Sequence, residues 1–264
     1  FKFNFEYIFI CKLDDILNSN LIIKLNNLKI KKKKILIIDY LTNNVVDTIL
    51  SANKYIKNSE DVLIVHPDSI VNFNKSYFLK IIKNKSIDGL VFTYDHFNPT
   101  FLDNDLIGRC TIDKNNNILQ VKEKSQFNVN EKTLAGVYYY SKWNDFKKYS
   151  KKMFLNQNPI NGIYYVSQIY NEYIKDKKNI KNFKVDKFIS LGLVRNIEEF
   201  NFWFEYSKII KKREIRKKIY DHINIIPACG EGQRFAADGY KNIKPLIKIK
   251  NKTMLEATIE SLPR

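Results

Sequence analysis

Two short motifs near the end of the chain have the residue types of a phosphate-binding site. The run Gly230–Arg234 has the pattern Gly-x-Gly-x-Arg and directly follows an apolar stretch, and Lys244 comes ten residues after Arg234. Glycines let the backbone turn tightly and present N–H groups to phosphate oxygens, while arginine and lysine supply positive charge. Two cations and a ring of amides at one strand end are the groups that a triphosphate needs during displacement at phosphorus. A two-glycine loop taken alone is as often an ordinary turn between a strand and a helix.

Polar residues also follow two apolar runs in the first half of the chain. Asp68 follows the run 62–65, and the pair Glu123-Lys124 follows the run 118–122. An aspartate at the carboxyl end of a parallel strand lies where open α/β sheets bind ligands. The alternatives are a turn or N-cap role for Asp68 and exposed hairpin charges for Glu123-Lys124.

Alternating strand and helix patterns must position these residues. Strands are predicted at 7–11, 34–38, 62–65, 89–94, 108–112, 118–122, 136–140 and 222–227, and helices at 47–56, 78–82, 161–174, 198–220 and 254–262. Continuous apolar runs without alternation are typical of parallel strands that are covered on both faces. We therefore predict an α/β fold with an open mixed, mostly parallel, Rossmann-like sheet and helices on both faces.

The closing motifs resemble the opening signature of the sugar-phosphate nucleotidyltransferases. The resemblance is carried by Ile225–Phe235, Lys244–Ile247 and Asn251–Met254. It implies a GT-A-like architecture and transfer of a nucleotidyl group from a nucleoside triphosphate to a sugar phosphate, with Mg²⁺, to give an NDP-sugar and pyrophosphate. It also implies that Gly230 and Gly232 line the triphosphate, that Arg234 contacts its β,γ-phosphates and that Lys244 steadies the α-phosphate.

The first two-thirds of the chain resembles the later part of the same family. By this resemblance Asp68 is the Mg²⁺ ligand, and Glu123 and Lys124 lie near the sugar phosphate. Three stretches depart from the family pattern: Asn43-Asn44-Val45 stand where the family has a Gly-Ala pair beside the nucleobase, Ile163 replaces a sugar-binding glutamate, and Ser190 with Leu193–Arg195 lack the second aspartate and the Thr-Pro pair. Asn44, Val45 and Ile163 favour the alternative of a catalytically degenerate regulatory or scaffold module that binds a sugar nucleotide without turnover.

The motifs occur in an unusual order. Residues 1–206 are interpreted as a nucleotidyltransferase-like unit without its first strand and loop, residues 207–221 as a basic helical linker, and residues 222–264 as the phosphate-binding start of a second copy or of a permuted domain. The chain begins at Phe1, which favours a piece of a longer tandem protein. In this family the first strand lies beside the strand that carries the metal-binding aspartate. We therefore expect Ile223–Pro227 to fill that place and to bring Arg234 and Lys244 toward Asp68.

Composition and motifs bear on the other functions considered for the chain. The chain has 45 Lys and Arg against 28 Asp and Glu, a net charge of +17, but lysine is spread along the whole sequence with much asparagine and isoleucine, as an AT-rich coding bias produces. We expect no nucleic-acid partner, because no base-reading or RNA-binding motif is present. A glycosyltransferase would need an Asp-x-Asp pair, and residues 66–69 contain one aspartate. With three distant cysteines and no membrane span, we expect a cytoplasmic protein, and homo-oligomerisation is left open.

Overall fold

The computed structural model describes residues 5–83, 86–95, 107–125, 130–156, 159–211, 226–228 and 232–261, with residues 209–211 described by their backbone alone. The chain divides into two compact units, Phe1–Phe202 and Trp203–Arg264. None of the described helices combines the length and the apolar character that are needed to cross a bilayer.

A six-stranded sheet forms the centre of the first unit. The strands of the described residues are β1 Tyr7–Lys12, β2 Lys33–Ile38, β3 Val62–Val65, β4 Ser69–Asn72, β5 Gly89–Tyr94, β6 Arg109–Ile112, β7 Ile118–Lys122, β8 Lys132–Tyr140, β9 Ile180–Lys184, β10 Lys187–Ser190, β11 Lys248–Ile249 and β12 Lys252–Thr253. The central sheet has the order β7-β6-β8-β5-β9, and β3 also pairs with β8. The predicted strands at 62–65, 89–94 and 118–122 agree with β3, β5 and β7.

The long strand β8 changes its partner along one edge. Arg109 of β6 lies opposite Thr133, whereas Val65 of β3 lies opposite Val137. Gly136 lies between these two paired regions with a φ of +65°, a left-handed conformation that glycine adopts without steric cost. This edge of β8 therefore changes its partner at Gly136: the Leu134 N–H donates to the Gly108 carbonyl before β6, and the Gly136 carbonyl accepts from the His66 N–H after β3. We call this place the β8 notch.

Among the residues that the structure describes, most pairings of the central sheet are antiparallel; the open mixed sheet is confirmed, and only the expectation of mostly parallel strands is corrected. Strands β5 and β9 are parallel, whereas the pairs β3–β8, β5–β8, β6–β7 and β6–β8 are antiparallel. A continuous apolar run indicates that a strand is buried on both faces. It does not indicate whether the neighbouring strands are parallel or antiparallel. All six residues of β5 are buried although one of its two neighbours is antiparallel.

Helices cover both faces of the central sheet. The helices are α1 Leu13–Leu17, α2 Leu21–Asn27, α3 Val45–Leu50, α4 Lys75–Ile82, α5 Trp143–Leu155, α6 Ile169–Lys175, α7 Val194–Lys211, α8 Gln233–Ala237 and α9 Met254–Ser261. On one face Tyr140 of β8 packs against Phe146 of α5 and Tyr173 of α6. On the other face Tyr139 of β8 packs against Phe78 of α4. The mixed α/β class with helices on both faces is confirmed.

Strands β1 and β2 form a separate parallel pair. Within the described ranges, β1 pairs with β2 alone and β3 pairs with β8 alone. The predicted strand Ile223–Pro227 falls mostly outside the described residues, and its last two residues, Ile226 and Pro227, have no regular secondary structure. Its insertion beside β3 stays a prediction.

Candidate active site

Asp68 lies in the turn that follows β3, at the β8 notch. The backbone N–H of Leu191 donates to the Asp68 carbonyl over 2.7 Å, which fixes the segment after β10 against this turn. A Cβ atom on Gly192 would lie 3.0 Å from Asp68 Oδ2, so glycine at this position leaves room for the carboxylate. The Asp68 side chain is exposed. The described residues contain no cluster of three His, Cys, Asp or Glu side chains around it.

Glu123 reaches the same notch from the end of β7. Glu123 is half-buried; its carboxylate lies where a Cβ atom on Gly108 would be, and the hydroxyl group of Ser167 donates a hydrogen bond to it. Burial raises the pKa of the Glu123 carboxyl to about 6, against the opposing effects of the Ser167 hydrogen bond and the Lys124 charge. The alternative reading of Glu123 as an exposed hairpin charge is therefore wrong.

Lys124 follows in a left-handed backbone conformation, with a φ of +52°. This conformation is uncommon for a residue with a side chain, and it turns the chain sharply after Glu123. The Lys124 Nζ atom lies 5.9 Å from the centre of the Tyr165 ring, within the range of a cation–π contact. Strained backbone of this kind is concentrated at functional sites.

Neighbouring side chains lead from Glu123 toward the turn that carries Asp68. Tyr138, on β8, is buried beside Ser167. The ring of His66 meets the Tyr138 ring edge to face, with 6.0 Å between ring centres, and His66 precedes Asp68 by two residues. Burial lowers the pKa of His66, and the nearby Asp68 charge opposes this effect. Ser167, Tyr138 and His66, to which the sequence assigned no role, are thus neighbours of the segments that carry the two sequence-predicted carboxylates; the joint role of Asp68 and Glu123 stays a prediction.

Ser167 is the residue that sequence reasoning missed. The predicted helix 161–174 is wrong at its beginning, because Asn161 and Gly162 form a turn with positive φ values. Ser167 lies in a single 3₁₀ turn, Val166–Gln168, just before α6. Its contact with Glu123 joins residues 44 positions apart in the chain, and no local pattern reports such a contact.

The glycine loop and the second cation come together within the second unit. Gly232 has a φ of +65° and precedes α8, and a Cβ atom on it would lie 3.2 Å from the Cβ atom of Lys244. Arg234 is exposed on α8, and the Lys244 Nζ atom lies 5.8 Å from the centre of the Phe235 ring. Gly230 lies outside the described residues. The approach of Arg234 and Lys244 to Asp68 stays a prediction.

The turn after Lys244 leads to a short hairpin and a capped helix. Lys244–Leu246 forms one 3₁₀ turn, followed by the antiparallel pair β11–β12. The N–H of Thr253 donates to the Glu256 carboxylate over 2.6 Å, and the N–H of Glu256 donates to Thr253 Oγ1 over 3.2 Å. This reciprocal pair is a capping box, so α9 begins where the sequence predicts.

Solved structures share the fold of this chain. A nucleoside-diphosphate-sugar pyrophosphorylase from Vibrio cholerae RC9 matches with a TM-score of 0.60 at 16% identity, over 74% of this chain and 80% of its own. A UDP-glucose pyrophosphorylase complexed with UDP-glucose matches with a TM-score of 0.57 at 13% identity, over 76% of this chain and 81% of its own. This chain has a sugar-nucleotidyltransferase-like fold. No protein-family model and no curated protein matches the sequence.

The departure at Asn44 and Val45 has a structural role within this nucleotidyltransferase-like fold, whereas the side chain at Ile163 has none among the described residues. The Asn44 side chain accepts a hydrogen bond from the Asp47 N–H over 3.1 Å and donates one to the Asp47 carboxylate over 3.0 Å, so it caps α3. Val45 packs against the core. Ile163 is 44% exposed, and it places an apolar side chain where the family pattern has a carboxylate.

Proposed function

We propose that this protein transfers a nucleoside monophosphate from a nucleoside triphosphate to a sugar 1-phosphate. The observation that carries the proposal is the half-buried Glu123 carboxylate, which accepts a hydrogen bond from the buried Ser167 and has a raised pKa. Titratable groups whose pKa is shifted by burial are concentrated at functional sites. The sugar-nucleotidyltransferase-like fold supports this reading.

In this proposal Glu123 and Lys124 bind the sugar phosphate. An ionised carboxylate accepts hydrogen bonds only, which suits the hydroxyl groups of a sugar ring. A lysine ammonium is a compact positive charge, which suits a phosphate group. Because the two side chains are neighbours across a sharp backbone turn, they suit a ligand that carries hydroxyl groups and a phosphate close together.

Asp68 would hold Mg²⁺ together with the phosphates of the substrate. Mg²⁺ is commonly bound by one or two carboxylates and completes its coordination with phosphate oxygens and water. A single exposed carboxylate, with Ser190 in the neighbouring strand in place of an acid, fits an ion that arrives with its nucleotide. When bound, Mg²⁺ would neutralise charge on the reacting phosphates.

We further propose that Gly230, Gly232, Arg234 and Lys244 bind the triphosphate. An oxygen of the sugar phosphate then attacks the α-phosphorus and forms a new P–O bond. The bond between the α-phosphorus and the bridging oxygen to the β-phosphorus breaks, and the electron pair leaves with pyrophosphate. The positive charges of Arg234 and Lys244 favour this step because negative charge accumulates on the phosphate oxygens.

Pyrophosphate release tests the proposal. The full chain is incubated with Mg²⁺ and a panel of nucleoside triphosphates and sugar 1-phosphates, and we expect release that requires both substrates. Lys244→Ala is expected to reduce turnover on the order of a hundredfold. Lys241→Ala, a change at an exposed lysine in the same segment, is the matched control and should leave turnover unchanged. Equal loss in both variants would contradict the role of Lys244.

The alternative function is a module that binds a sugar nucleotide without turnover. The exposed apolar Ile163, at a position where the family pattern has a sugar-binding glutamate, favours it. Calorimetry distinguishes the two functions: a sugar nucleotide that binds while no substrate pair releases pyrophosphate would support the module.

A further inference from the structure

The Glu123 carboxylate is held from several sides by groups that leave it little freedom. A Cβ atom built on Gly108 would lie 2.6 Å from Oε1 and 2.7 Å from Oε2, so the carboxylate leaves no room for a side chain at position 108. The Ser167 hydroxyl group donates to Oε1. Among the described residues, the charged or titratable groups that face the carboxylate are Lys124, beside it in the chain, Tyr138 on β8, and Tyr165 before the 3₁₀ turn.

Ser167 has a hydrogen-bonding arrangement that fixes its direction. A serine hydroxyl has one proton to donate, and Ser167 gives it to Glu123. Tyr138 lies beside the same hydroxyl group on β8. Ser167 is fully buried and Tyr138 is 4% exposed, so water does not reach the Ser167 hydroxyl group from this side. The Ser167 proton is therefore committed to Glu123.

We propose that Ser167 is a positioning residue that aims the Glu123 carboxylate at the sugar-phosphate pocket. The inference rests on the proposed function, because Glu123 is assigned to the sugar phosphate there. Ser167 acts through Glu123 and does not itself contact the ligand. One oxygen of the carboxylate is occupied by Ser167, which leaves the other oxygen to accept hydrogen bonds from a sugar hydroxyl group.

The test compares three serine variants of the full chain. Ser167→Ala removes the hydrogen bond, Ser167→Thr keeps a hydroxyl group, and Ser150→Ala is the matched control. Ser150 is equally buried, but it donates to the Phe146 carbonyl within α5. With a sugar 1-phosphate as the probe, we expect Ser167→Ala to weaken binding on the order of tenfold. Ser167→Thr should restore most of the affinity, and Ser150→Ala should leave it unchanged.

A second readout separates positioning from a loss of packing. Without the Ser167 donor, the ionised Glu123 loses a stabilising bond, so the pKa of its carboxyl should rise further above about 6 in Ser167→Ala and stay unchanged in Ser150→Ala. Carbon-detected NMR titration of the ligand-free protein measures this directly. An unchanged Glu123 pKa in Ser167→Ala, or unchanged sugar-phosphate binding, would overturn the inference.

The two proposals fail in different ways. If the wild-type protein binds no sugar 1-phosphate while the Glu123 pKa rises in Ser167→Ala, then Ser167 positions Glu123 and the proposed substrate is wrong. If the wild-type protein binds a sugar 1-phosphate and Ser167→Ala binds it equally well, then the proposed function survives and the positioning role is wrong.

Discussion

Gly108 lies so close to Glu123 that a single methyl group should displace the carboxylate. The Cβ atom of an alanine at position 108 would lie 2.6 Å from Oε1, 2.7 Å from Oε2 and 2.8 Å from Cδ of Glu123. Non-bonded carbon and oxygen atoms do not approach so closely in folded proteins. All three contacts involve the far end of one side chain, so the Glu123 side chain should rotate away while the backbone stays in place.

The structure sets the size of the expected effects. Moving the carboxylate away breaks the hydrogen bond from Ser167, and a hydrogen bond to a charged group contributes about 1.5–3 kcal/mol. The affinity for a sugar 1-phosphate should therefore fall about 10- to 100-fold in Gly108→Ala. Global stability should fall by about 1 kcal/mol, because the displaced side chain can relax.

Gly89→Ala provides the contrast. A Cβ atom on Gly89 would lie 2.8 Å from the Tyr170 ring, 3.0 Å from the Tyr139 carbonyl oxygen and 3.1 Å from Ile180, all within the packed sheet. Because backbone is among these contacts, Gly89→Ala should lower stability more than Gly108→Ala, by about 2–3 kcal/mol. Chemical denaturation and calorimetric titration measure both quantities. If Gly108→Ala binds the sugar phosphate as the wild type does, or loses as much stability as Gly89→Ala, the account of Glu123 is refuted.

Two further predictions concern charge and helix capping. Glu123→Gln should raise the free energy of unfolding at pH 7.5 by about 1–2 kcal/mol. The folded-state pKa of Glu123, about 6, lies above the unfolded value, so the ionised carboxylate destabilises the fold above pH 6. This cost disappears as the pH falls through 6 toward 4.5. Urea denaturation at pH 7.5 and pH 5 measures it, and a gain that grows toward pH 5 would be contrary to this reasoning. Asn44→Ala should lower stability by about 1 kcal/mol through loss of the α3 cap, whereas Asn44→Asp should retain most of it, as denaturation of both variants would report.

The sequence predicts elements well where one physical cause dominates. The apolar runs of β3, β5 and β7 are bounded by polar residues, so their limits are predicted correctly. The sequence does not predict the direction of β8, because an apolar run is equally compatible with a parallel or an antiparallel neighbour. The turn at Asn161 and Gly162 interrupts a helical spacing through two positive φ values that apolar periodicity does not reveal.

The sequence indicates the two candidate carboxylates, but it does not indicate the residues that contact them. Asp68 and Glu123 each follow an apolar run, and this position marks them as candidates. Ser167 and Gly108 touch Glu123 only because the β8 notch brings distant segments together. A serine before a helix and a glycine before a strand have many ordinary explanations, so their importance depends on three-dimensional contacts.

Transfer of isotopic label tests the central claim most directly. The full chain is incubated with Mg²⁺, a sugar 1-phosphate and a nucleoside triphosphate that carries label at the α- or the γ-phosphorus. The proposed reaction predicts that the α-label appears in an NDP-sugar and that the γ-label appears in pyrophosphate. Release of the γ-label as free phosphate, or no transfer from any nucleotide to any sugar phosphate by folded protein, would contradict it.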